Sequence, residues 1–93
     1  MTALECKNML IKYMEEYLQG MISRLEYYEY SEELYSRYGD FLKSCYSSFN
    51  KLFMERIPDA CLYYIDEPGL NEVTKEELVR KEILETYNLL IKL

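Results

Sequence analysis

"DFLKSCYSSFNKLFMERIP", residues 40–58, is the most periodic segment of the chain. Within it Phe41, Leu42, Cys45, Phe49, Leu52, Phe53 and Ile57 keep mostly to steps of one, three and four residues, which gathers them on one broad face of an α-helix. Asp40 offers a side-chain oxygen to cap the first turn, and Gly39 just before it is expected to end the preceding helix. At the far end Pro58 lacks an N–H and restricts Ile57, so the spacing predicts that this helix stops there. The segment reads as the central core helix against which the others pack.

Upstream, "ISRLEYYEY" (22–30) carries a helix start in its chemistry. Ser23 can accept from a backbone N–H while Glu26, three residues on, reaches back to the Ser23 amide, with Ile22 and Tyr27 spaced as a hydrophobic staple. Tyr27, Tyr30, Leu34 and Tyr38 then form an apolar stripe. In the opening segment Cys6, Leu10, Tyr13, Met14, Tyr17 and Met21 share one face, and Gln19-Gly20 offers a stop. Downstream, Thr74 and Glu77 repeat the capping-box spacing. Val79, Ile83, Tyr87 and Leu90 supply an apolar face, and Glu76 with Arg80 and Glu77 with Lys81 are well-oriented pairs one turn apart.

The expected architecture is therefore all-α, an antiparallel four-helix bundle formed as a single domain over residues 1–93, with one long acidic loop between helices three and four. That loop, "PDACLYYIDEPGLNEV" (58–73), holds four carboxylates, Asp59, Asp66, Glu67 and Glu72, and no lysine or arginine. A connection of more than about 12–15 residues is uncommon unless it is functional or disordered, and the adjacent Tyr63 and Tyr64 argue against disorder.

Composition limits the function classes. The net charge of −6 has the wrong sign for gripping a phosphate backbone and suits a basic partner. There is no histidine, no Gly-rich phosphate cradle, no nucleophile elbow and no metal-ligand cluster, so neither catalysis nor a cofactor is expected. The three cysteines are an odd number without paired spacing. Cys6 and Cys45 read as buried apolar residues of a reducing compartment, and Cys61 as exposed. The start "MTALECKN" (1–8) does not resemble a signal peptide, and uncharged runs stop at seven residues. A soluble, cytoplasmic protein is expected.

Several stretches, taken in order, resemble the colicin D immunity protein family. "ISRLEYYEYSEELYSRYG" (22–39) is similar to that family's second helix. "KLFMER" (51–56), "PDA" (58–60), "YID" (64–66), "GL" (69–70), "ILE" (83–85) and the closing "KL" (92–93) follow its third helix, loop and last helix. The resemblance implies a four-helix bundle that binds and silences a tRNA-cleaving toxin domain, as a monomer in a 1:1 complex. Carboxylates would then sit where the tRNA phosphates go. On that basis Asp59, Asp66, Glu67 and Glu72 are expected to mimic phosphates, Glu55 is carried over from the family's matching helix end, and Tyr63 and Tyr64 would act as aromatic anchors. A contact-dependent growth-inhibition immunity protein would work by the same logic. Two other classes fit the charge: an acidic nucleic-acid mimic acting on another nuclease or a DNA-binding protein, and a helical regulatory or scaffold subunit.

Overall fold

The computed structural model describes residues 1–61, 69 and 71–93 in full, together with the helical backbone of 62 and 63. Among the described residues there are four helices and no strand: α1 (Ala3–Leu18), α2 (Arg24–Cys45), α3 (Ser47–Tyr63) and α4 (Glu72–Leu90). α1 packs on α2 and α4, and α3 packs on the same two helices, so the four close around one core.

Each helix contributes one stripe to that core. Cys6, Leu10, Met14 and Tyr17 come from α1, Tyr27, Leu34 and Leu42 from α2, Phe49, Phe53, Ile57 and Cys61 from α3, and Val79, Ile83 and Leu90 from α4. Steps of three, four, seven or eight residues within each set span one or two helical turns, and the apolar pattern follows the buried face except at Met21, Tyr30 and Phe41, which are exposed.

The first two helices begin as their sequences dictate. The Glu26 amide donates to Ser23 Oγ at 3.1 Å and the Ser23 amide to Glu26 Oε1 at 3.0 Å. Thr2 and Glu5 make the same reciprocal pair at the start of α1. α1 ends on Gly20, whose φ of 77° is the left-handed conformation glycine adopts without a Cβ penalty. The Gly20 amide donates to the Tyr17 carbonyl and the Met21 amide to that of Glu16, which satisfies two of the carbonyls a helix end leaves open.

The boundary between the second and third helices differs from expectation. α2 runs through Gly39 and Asp40 to Cys45, and the chain turns at Tyr46 alone (φ −135°, ψ 61°) before α3 starts at Ser47. The Tyr46 amide donates to the Leu42 carbonyl while its own carbonyl accepts from the Asn50 amide, so one residue closes one helix and opens the next. In this register Phe41 is exposed and Cys45 lies on the surface, whereas Cys61 is fully buried, the reverse of the expected placing of the last two.

Gly39 serves packing rather than termination. A Cβ there would come within 2.8 Å of the Tyr35 ring, which donates to Asn50 at 2.6 Å and stacks on Phe53 at 6.2 Å. Gly39→Ala, which in an open helix would stabilise by about 0.4–1 kcal/mol, is expected instead to destabilise by about 1–3 kcal/mol through overpacking. A lower urea midpoint at unchanged slope is the readout.

Pro58 does not stop α3 either, which continues to Tyr63 with the proline inside it. An interior proline forfeits a hydrogen bond and costs about 3 kcal/mol. Burial of Ile57, Ala60 and Cys61 against the core offsets that cost. α4 begins earlier than its sequence suggests, because Asn71 rather than Thr74 is the cap and its side chain accepts from the Thr74 amide at 2.8 Å. The stretch 58–73 is therefore helical at both ends, with Asp59 on α3 and Glu72 in the first turn of α4.

Candidate functional site

The expected site residues divide into three groups. Glu55 and Asp59 are exposed on α3, four residues apart, so they stand one above the other on a single stripe. Neither forms an ion pair with any described residue. Tyr64, Asp66 and Glu67, together with the Tyr63 side chain, lie outside the described residues.

Glu72 forms the third group and behaves differently. It accepts from Arg24 Nη2 at 2.8 Å and lies 3.7 Å from Lys75 Nζ, and the Arg24 hydrogen bond holds its carboxyl below the usual carboxylate range. Its charge is already engaged within the fold.

Arg24 belongs to a network that sequence reading missed. Its Nε lies 4.0 Å from Glu76, which accepts from the Tyr17 hydroxyl at 2.8 Å. Arg80 stands over the Tyr17 ring at 4.9 Å and donates to the Leu18 carbonyl at 2.9 Å. These contacts join the end of α1 and the start of α2 to the start of α4. The partners are 48 to 63 residues apart in sequence, and the one local signal was the Glu76–Arg80 pair, which forms at 3.5 Å.

Further exposed carboxylates lie on α2. Glu29 and Glu32 carry no ion pair among the described residues, whereas Glu33 is held by Arg37 at 3.0 Å. Glu29, Glu32, Glu55 and Asp59 are thus exposed carboxylates without an ion pair among the described residues, and the exposed Lys43 and Lys51 lie on the same two helices.

The two buried thiols are muted. Burial pushes the Cys61 thiol up to about 12 and the Cys6 thiol upward too, so both stay protonated and unreactive near neutrality. Among the described residues no group of three or more carboxylates and cysteines is placed to hold a metal ion. What this surface offers is carboxylate for pairing with cations. A maleimide reagent is expected to label native protein at Cys45 alone, with Cys6 and Cys61 reacting only after denaturation. Peptide mapping of the modified protein checks this.

No described helix is long and apolar enough to cross a membrane. Comparison of the chain with protein-family models, with curated proteins and with solved structures gives no match.

Proposed function

We propose that the protein inhibits a basic, tRNA-cleaving toxin domain in the cytoplasm, binding it 1:1 and laying carboxylates where the substrate's phosphates would lie. The supporting observation is the exposed stripe of Glu55 and Asp59, without ion pairs, on a chain of net charge −6. Like charges one turn apart cost a helix about 0.2–0.5 kcal/mol, and a cationic cleft would convert that cost into attraction. A ribonuclease cleft must be positive to hold RNA, so an acidic inhibitor is steered toward it and associates fast.

This reading takes the four helices as an antiparallel bundle and the segment between α3 and α4 as an acidic loop. Tyr63, Tyr64, Asp66 and Glu67 would extend the contact begun by Asp59. Glu72 would help to anchor the start of α4 through Arg24 in addition to meeting the partner. The protein acts as a binder, with no cofactor and no chemistry of its own.

The test is capture at low salt from the source cells, identification of the bound protein, and assay of its tRNA cleavage with and without this protein. A basic domain is expected, silenced at one equivalent, with affinity that falls as salt rises. A partner that is neutral or acidic, or inhibition unaffected by the double change Glu55→Gln and Asp59→Asn, would overturn the reading. A DNA-binding partner would point to the nucleic-acid mimic instead.

A further inference from the structure

α2 and α3 do not close fully against each other: a groove of about 200 Å3 runs between them. Tyr28 and Tyr35 wall it on the α2 side, Phe53 and Ile57 on the α3 side. The volume is below the ~300–1,000 Å3 of small-molecule sites and is suited to a single large side chain.

The groove is apolar but offers polar groups at chosen points. Ser31, 5% exposed, lines it, and its Oγ makes no hydrogen bond among the described residues. The Tyr27 hydroxyl, one turn earlier, sits beside it at the limit of hydrogen-bonding geometry and does not line the groove. A serine hydroxyl donates once and accepts twice, so Ser31 keeps hydrogen-bonding capacity for a further partner at this wall. Pro58 has no N–H, which leaves the carbonyl of Met54 without its usual donor four residues on, and both residues line the groove.

The α2 side of the groove is acidic, whereas on α3 the exposed Lys51 shares the helical face of Met54 and Pro58. Glu32 lines the groove, Glu29 follows Tyr28 on the exposed surface, and Glu55 and Asp59 follow Met54 and Pro58 in the chain. None of these four carboxylates is in an ion pair with a described residue.

We propose that the groove receives one aromatic side chain bearing a hydrogen-bond donor, a tryptophan or tyrosine, presented by a lysine- or arginine-rich segment of the partner protein. The ring fills the space among Tyr28, Tyr35, Phe53 and Ile57, where aromatic pairs add to plain burial. Its N–H or O–H finds Ser31 Oγ or the Met54 carbonyl, and the flanking cations meet Glu29 and Glu32. Such an anchor, desolvated and ringed by polar contacts, is the usual form of an interface hot spot. The proposal rests on the reading that the partner is a basic protein, and it specifies what that partner must present.

The probe is a five-residue peptide, one tryptophan flanked on each side by two lysines, titrated into the 15N,13C-labelled protein and followed by NMR. Shift changes are expected to concentrate on the Met54 and Ile57 methyls and the Tyr28 and Tyr35 rings. Exchanging tryptophan for alanine, or the lysines for glutamates, should weaken binding at least tenfold, and Glu32→Lys in the protein at least fivefold. Met54→Asp, at a half-exposed position, should do the same while leaving the fold intact by near-UV circular dichroism.

Equal binding of the alanine peptide, with shifts spread over the acidic surface, would overturn the groove and leave a basic partner standing. Equal binding of the glutamate-flanked peptide would overturn the charge requirement. Dimerisation of the protein alone that Met54→Asp abolishes would assign the groove to a second copy. Failure of the toxin reading would show separately, as a captured partner without tRNA cleavage while the peptide still binds.

Discussion

Replacing Tyr17 with alanine is expected to destabilise the protein by about 3–5 kcal/mol, the range for truncating a buried aromatic residue. The side chain is fully buried, its ring meets that of Tyr27 at 5.5 Å, and Arg80 covers it at 4.9 Å. Truncation would open a cavity where α1, α2 and α4 meet and would leave Arg80 without its aromatic support. Tyr17→Phe separates packing from polarity. It keeps the ring and removes only the hydrogen bond to Glu76, so its cost should lie near the lower end of the about 1.5–3 kcal/mol assigned to bonds with charged groups, because Glu76 is partly solvated.

The same residue predicts a dependence on pH. Burial first, and the bond to Glu76 second, push the Tyr17 hydroxyl well above the usual tyrosine range. A raised folded value means that the stabilisation is complete below the unfolded pKa of about 10 and is lost as pH climbs from there toward the folded value. Tyr17→Phe should therefore lose less stability than the parent between neutrality and strongly alkaline pH. Urea titrations at several pH values measure both the variant costs and this slope; equal slopes in parent and variant would remove Tyr17 from the effect.

The second large effect concerns the partner. Asp59→Asn is expected to weaken the complex with the captured basic domain by about 1.5–7 kcal/mol, the span for close interfacial charge pairs, without lowering the urea midpoint. The side chain is exposed and forms no ion pair with any described residue, so the fold loses nothing when the charge goes. Glu72→Gln should show a different pattern. Removing its charge weakens its contacts with Arg24 and Lys75, so part of its effect should appear as lost stability in the unbound protein. Glu77→Gln, exposed on α4 away from the network, is the control expected to change neither quantity. Calorimetric titration beside urea unfolding separates the two. Asp59→Asn bound as tightly as the parent would exclude Asp59 from the contact.

The legible part of the fold was whatever periodicity and local chemistry determine. Four helices, the stripes of α1 and α4, the Ser23–Glu26 box and the Gly20 stop follow from neighbours within about one turn. What misled was punctuation overruled by packing. Gly39 has the composition of a helix end but gives room to the Tyr35 ring, and Pro58 has that of a stop but lies between the buried Ile57 and Ala60. Correcting these two moves the second turn from Asp40 to Tyr46 and brings Asp59 onto a helix. At the candidate site, residue type and charge showed which carboxylates to consider. Their engagement could not be read, because Arg24 reaches Glu72 and Glu76 across some fifty positions of sequence.

Tyr46 has a consequence for assembly. It is the one non-helical residue between α2 and α3, so two backbone angles separate this fold from a single rod over residues 24–63, roughly 60 Å long at ~1.5 Å per residue. Such a rod exceeds the 39 Å long axis of the folded chain. It would carry α3 and α4 away from their own α1 and α2, to be met by those of another molecule in the same contacts. Short hinges of this kind are where domain swapping begins. The joint that keeps the molecule self-contained is also the place where one altered residue would let two chains exchange halves.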